Sequence, residues 1–117
     1  MSMVRLPRAI KQKPITVTLS GYLESSYAYV TVNGTTTYTA ATTLTFTKSP
    51  TIFIHVGVNR SCTITLNGTT VASAASSSNN TAEYSFAPTT DCTITFTRTA
   101  TGGWSTDYYY SASITTE

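Results

Sequence analysis

The sequence predicts an all-β fold: a sandwich of about eight to ten antiparallel strands, preceded by a short N-terminal arm. Three observations carry this. Threonine dominates the 117 residues with 27 copies, and serine adds 14; threonine is β-branched and suits a half-buried pleated surface. Short runs alternate apolar and polar residues, with turn residues between them, as strands with one buried face do. Third, the chain echoes itself. Tyr29-Val30-Thr31-Val32-Asn33-Gly34-Thr35-Thr36 returns as Thr63-Ile64-Thr65-Leu66-Asn67-Gly68-Thr69-Thr70, with Val30 aligned on Ile64 and Val32 on Leu66 when Asn33 is set on Asn67. Asn-Gly between two such runs is a strong hairpin signal, because a type I′ turn requires φ > 0 at both central residues. Asn33, Gly34, Asn67 and Gly68 are therefore read as two hairpin turns.

The elements follow in order. Residues 1–13 read as a basic arm bracketed by Pro7 and Pro14, and residues 14–117 as the domain. A first strand opens with Ile15, Val17 and Leu19 on one face and ends at Gly21. The first Asn-Gly hairpin spans 27–32 and 36–39. A strand over 43–47 turns Leu44 and Phe46 inward, and Lys48-Ser49-Pro50 makes a turn. Residues 51–58 form the most apolar strand, expected to be central and covered on both faces. The second hairpin is 62–73, and the small polar residues 74–80 read as a surface loop. Strand 82–86 leads through Ala87-Pro88 into strand 91–98. A loop at Gly102-Gly103-Trp104 precedes the last strand, from Tyr108 to Ile114. Each half of the echo is thus strand, Asn-Gly turn, strand, loop, strand, Pro turn, strand. Two repeats are too few for a solenoid and suit two sheets packed face to face. No segment carries a helical apolar pattern with caps.

The charge is uneven. Arg5, Arg8, Lys11 and Lys13 give the arm four positive charges without an acid, whereas the rest of the chain is formally −2. The protein therefore reads as a nearly neutral body with a basic tail. A nucleic-acid role is disfavoured, since four charges neutralise few phosphates and bind weakly and salt-sensitively. No apolar run is long enough for a signal peptide or a membrane span, so synthesis in a cytoplasm and no membrane partner are expected. Four Asn-x-Ser/Thr matches (Asn33, Asn59, Asn67, Asn79) are expected by chance at this Ser/Thr content. Cys62 and Cys92 both fall on the apolar side of their strands and read as small buried thiols; a disulfide remains open if their strands are neighbours.

No catalytic constellation stands out. His55 is the only histidine, in an apolar strand without an evident nucleophile or acid, and a triad needs all three. Glu83, Asp91 and Asp107 fall at expected strand starts or turns, where acids are solvated, and glycosidase chemistry needs a flanking carboxylate pair. Phosphate-binding glycine loops are missing. Two cysteines and one histidine are too few for structural zinc. The reading is of a non-enzymatic protein without cofactor or metal. Its candidate interaction residues are the arm (Arg5, Leu6, Arg8, Ile10, Lys11, Lys13) and the aromatics Trp104, Tyr108, Tyr109 and Tyr110, with a second aromatic group at Tyr22, Tyr27 and Tyr29. Exposed Tyr and Trp serve protein interfaces or sugar rings; cross-strand packing is the competing use.

The start Arg5-Leu6-Pro7-Arg8, the run Pro14-Ile15-Thr16-Val17-Thr18-Leu19-Ser20-Gly21, the paired hairpins Val30-Thr31-Val32-Asn33-Gly34 and Ile64-Thr65-Leu66-Asn67-Gly68, and the terminal Ile114-Thr115-Thr116 together resemble small Thr-rich virion proteins of tailed bacteriophages and prophages. The resemblance implies an immunoglobulin-like sandwich acting as a capsid decoration or head/tail accessory protein. Its partners would be other virion proteins and copies of itself, with the loops at 74–80 and Gly102–Trp104 facing outward or toward an adjacent copy. A carbohydrate- or host-surface-binding module using Trp104 and exposed tyrosines is the alternative from another class. A third possibility is a secreted adhesin fragment.

Overall fold

In the computed structural model, residues 13–57, 61–75, 80–100 and 108–117 are described, with the side chains of Ala100 and Tyr108 left aside. Ten strands form: β1 (Ile15–Gly21), β2 (Ala28–Val32), β3 (Thr36–Tyr38), β4 (Thr42–Phe46), β5 (Ile52–Gly57), β6 (Cys62–Leu66), β7 (Thr69–Ala74), β8 (Thr81–Phe86), β9 (Cys92–Ala100) and β10 (Tyr108–Thr116). Every strand read from the sequence is present, its described ends within a residue or two; Val58, expected at the end of one strand, lies outside the described residues. Period-two alternation places each inner face: Ile15, Val17 and Leu19 of β1, Ile52, Ile54 and Val56 of β5, and Ile94 and Phe96 of β9 are buried between the sheets.

The strands divide into a six-stranded sheet, β4-β1-β9-β10-β6-β7, and a four-stranded sheet, β3-β2-β5-β8. They pack face to face, with β5 against β10 and β6, and β8 against β6 and β7. Constant-type immunoglobulin domains divide seven strands four and three; this chain divides ten strands six and four. The expectation of antiparallel pairing fails twice, because β1 runs parallel to β9 and β10 parallel to β6.

The sequence echo explains those two exceptions. The first copy is β2 to β5 and the second is β6 to β9. Each copy places its first, second and fourth strands in one sheet and lends its third strand, β4 or β8, to the other. The four-stranded sheet keeps the bare order β3-β2-β5-β8. In the six-stranded sheet the two strands outside the echo are inserted, β10 between β6 and β9 and β1 between β9 and β4. The Pro turns of the two copies meet, with the Ser49 hydroxyl donating to the Pro88 carbonyl at 2.6 Å.

Asn33, Gly34, Asn67 and Gly68 all have positive φ, as type I′ turns require. The asparagines have a second task that glycine could not perform. The Asn33 Oδ1 accepts from the Thr51 backbone N–H at 2.8 Å, and the Asn67 Oδ1 accepts from that of Thr116 at 2.9 Å while its Nδ2 donates to Thr116 Oγ1 at 2.8 Å. Each turn is thereby tied to the strand beside its hairpin.

Cys62 and Cys92 are buried and free. Their strands are separated by β10, so the disulfide left open by the sequence does not form. Burial, helped by the neighbouring Asp91 charge, pushes the Cys92 thiol from 9.0 up to about 11. Burial, then the hydrogen bond and charge of Glu24, push the Tyr110 phenol from 10.0 up to about 12, against the opposing effect of Arg98. Both groups hold their protons more tightly folded than unfolded. Their contribution is therefore complete below pH 9 and is lost as pH rises through about 11 and about 12. At 1.36 kcal/mol per unit, each costs roughly 2–3 kcal/mol when ionised. Urea midpoints should accordingly fall between pH 8 and pH 11.5. Tyr110→Phe should lessen the fall above pH 10, leaving the part due to Cys92, and an unchanged alkaline profile in this variant would contradict the assignment.

Candidate interaction surfaces

The outer face of the six-stranded sheet is a continuous field of hydroxyls. Alternation that buries Val17, Ile94 and Ile114 must turn Thr16, Thr18 and Ser20 outward on β1, Thr93, Thr95 and Thr97 on β9, and Ser111, Ser113 and Thr115 on β10. Registers align them into rows: Thr43, Thr18, Thr93 and Thr115 in one, and Ser20, Thr95, Ser113, Thr65 and Thr70 in the next. Ser20 Oγ and Thr95 Oγ1 are hydrogen-bonded at 3.0 Å. No charged side chain interrupts these rows. Among the described residues acids border this face at one margin, where Asp91 and Glu117 flank a groove lined by Thr16, Thr18, Thr93 and Thr115. Asp91 Oδ1 accepts from the Thr16 backbone N–H at 2.9 Å, so this acid ties β1 to the start of β9 rather than standing solvated as expected. Lys13, the one described arm residue, is exposed beside this margin. Arg5, Leu6, Arg8, Ile10 and Lys11 lie outside the described residues.

At the end of the sandwich where β1 exits, Gly21 crosses the Phe96 backbone and passes into the loop 22–27. This loop closes on itself, with the Ala28 and Tyr27 N–H groups donating to the Glu24 carbonyl. It projects Tyr22, 55% exposed, and Tyr27, 39% exposed, the large hydrophobic side chains most open to solvent among the described residues. The Arg98 guanidinium lies 4.7 Å from the Tyr22 ring centroid. Tyr27 stacks on Tyr110 with centroids 6.0 Å apart, and the Tyr110 hydroxyl donates to Glu24.

This arrangement revises the aromatic assignment. Tyr110, expected among interface aromatics, is 1% exposed and belongs to the core. Tyr109 is half-buried on the hydroxyl face, Tyr108 contributes backbone to β10, and Trp104 lies outside the described residues. Among the described residues the exposed aromatics belong to the second group, Tyr22 and Tyr27. The signal that separates the groups is parity: Tyr110 shares that of Ala112 and Ile114, whereas Tyr22 follows the glycine that ends β1.

On the outer face of the smaller sheet, register brings Tyr29, His55 and Glu83 into one row. His55 stacks on Tyr29 with centroids 4.5 Å apart, and its Nδ1 lies 2.9 Å from Glu83 Oε2. His55 is therefore not a lone histidine, and Glu83, exposed near the start of β8, stands beside it. The expectation that β5 is covered on both faces holds only for its inner side; Phe53 and His55 on the outer side are half-buried. Asn80, expected in a surface loop, is buried, and Ala74 completes β7. Among the described residues no three or more His, Cys, Asp or Glu side chains come together as a metal site would require, and no helix is long and apolar enough to cross a membrane.

Compared with known proteins, the chain matches no family model, no curated protein and no solved structure.

Proposed function

We propose that this protein is a non-enzymatic structural component of a bacteriophage virion, a capsid decoration or head/tail accessory protein, which packs its broad sheet on a larger assembly and is anchored by its N-terminal arm. The observation that carries this reading is the uncharged hydroxyl face of the six-stranded sheet. Burying charges against a partner is expensive unless each is paired, and ordering long side chains costs up to about 2 kcal/mol each in rotamer freedom. Threonine and serine avoid both costs while offering donors and acceptors to any neighbour. A surface of this kind suits packing in many copies, where modest contacts add through avidity. The sequence resemblance to small Thr-rich virion proteins supports the same reading.

The test is mass spectrometry of purified particles from the source, with copy number. Hundreds of copies per particle are expected for a decoration or tube-associated role, and a handful for a connector, baseplate or fibre part. Absence from particles overturns the proposal.

A second reading, binding of carbohydrate or a host surface, is favoured by one observation: Tyr22 and Tyr27 are exposed beside Glu24 and Arg98, a combination of open rings and hydrogen-bonding charges that can receive a sugar. A glycan-array signal lost in Tyr27→Ala or Trp104→Ala would support it.

A further inference from the structure

The four sheet edges are not equally protected. Natural proteins blunt an edge by shortening it, bulging it or placing a charge on it, because an open strand offers its free N–H and C=O groups to any other chain. Strand β3 has only three residues. Strand β7 carries a bulge, since Ile64 and Thr65 of β6 face Ala72 and Thr70 and leave Val71 extra. Strand β8 carries Glu83. Strand β4, Thr-Thr-Leu-Thr-Phe, is five residues long with no charge, no proline and no bulge in its pairing with β1.

The same edge has an incompletely covered apolar face. The larger sheet has two strands more than the smaller one. With β8 lying over β6 and β7, and β5 over β10 and β6, the excess falls on the β4 side. Leu44 and Phe46 point inward, as the sequence expects, yet remain half-buried, as does Tyr38 on β3, the facing edge of the smaller sheet.

We propose that residues 3–7 of a second copy add to the β4 edge as a further strand, with Val4 and Leu6 covering Leu44, Phe46 and Tyr38. This rests on the docking role given above to the arm and specifies its partner. Met3-Val4-Arg5-Leu6-Pro7 matches β4 in length, and alternation would put Val4 and Leu6 on one face and Met3, Arg5 and Pro7 on the other. Pro7 lacks an N–H, which an outermost strand tolerates when that side faces solvent. The backbone bonds would supply affinity and the two apolar side chains the register. The donor is a second copy because of Pro14. A residue before proline is held extended, so the chain meets β1 in line at Lys13, and docking on its own β4 edge would require a reversal that docking on a neighbour does not. Residues 8–13 are long enough to reach a neighbour up to about 20 Å away, at 3.3–3.6 Å per residue. Since donor and acceptor surfaces differ, the contact is head-to-tail and propagates into a ring or a row.

The full chain should therefore self-associate in sedimentation velocity. Leu6→Asp, which spoils the donor, and Leu44→Asp, which spoils the acceptor, should each weaken association at least tenfold, with circular dichroism verifying the fold. Mixed one to one, the two variants should recover a heterodimer, because one retains the edge and the other the arm. Should Leu44→Asp not fold, Leu6→Cys mixed with Leu44→Cys should give a mixed disulfide under mild oxidation, the native thiols being buried. A chain that is monomeric at high concentration overturns the proposal. So does association that survives Leu6→Asp, or a mixture that fails to pair and forms no mixed disulfide. Particle copy number, measured separately, shows whether the virion reading stands when this contact fails.

Discussion

Replacing Gly21 by alanine is expected to cost about 3–5 kcal/mol, combining overpacking with left-handed backbone strain, and so to remove much of the 5–15 kcal/mol that holds a typical domain folded. Gly21 ends β1 at φ +85, and a Cβ built there would sit 2.0 Å from the Phe96 carbonyl oxygen and 3.0 Å from that residue's backbone C and N. The obstruction is backbone from the middle of the larger sheet, so no rotamer change relieves it. Either β1 lifts from β9, losing the Tyr22 N–H bond to the Phe96 carbonyl, or the loop carrying Glu24 is displaced from Tyr110. Gly68 provides the control. It has the same φ, +85, but nothing lies within 4 Å of its Cβ position, so Gly68→Ala pays only the left-handed strain of about 1–2 kcal/mol. Urea unfolding of the two variants separates collision from conformation. Equal losses would show that the Gly21 crossing is looser than described.

Phe96→Ala is expected to cost about 3–5 kcal/mol, the usual range for removing a buried aromatic side chain from a core. Phe96 is 1% exposed. Along its row the registers place Gly21, Phe96, Ala112, Ile64 and Ala72 side by side. Small and large residues alternate, and the ring fills space that Gly21 and Ala112 leave on either side. Alanine at position 96 would put three small residues together in the middle of the sheet, where neither flanking strand can move in to close the gap. Phe96→Leu should cost less than about 1.5 kcal/mol, because near volume-conserving swaps repack. Comparable losses for the two substitutions, measured by the same unfolding experiment, would argue against the cavity as the cause.

The interaction surfaces were legible in part. Hydroxyls on the outer face of the larger sheet follow from alternation alone, but their assembly into one uninterrupted field depends on which strands are neighbours. The basic arm is evident from its charges, whereas the edge proposed to receive it is defined by what β3, β7 and β8 carry and β4 lacks. Tyr110 shows how local reading misplaces a residue: three consecutive tyrosines look like a surface cluster, yet parity with Ala112 and Ile114 puts the third one inside. His55 shows the reverse, since its partners Tyr29 and Glu83 are 26 and 28 residues distant in sequence and meet it only through register.

By itself, the sequence determined the strands, their inward faces, the two Asn-Gly turns and the burial of both cysteines. These are properties of period-two alternation and of the φ preferences of a few residues, and both act within a handful of positions. Tertiary structure alone decided the division into six and four strands, the parallel pairs of β1 with β9 and β10 with β6, the exposure of Tyr22 and Tyr27, and, among the described residues, the place of β4 at an edge. Alternation states which face of a strand is buried but not which sheet receives it. That choice is made by contacts between residues as far apart as Val17 and Cys92, where filling a common core, rather than any local preference, selects the neighbour.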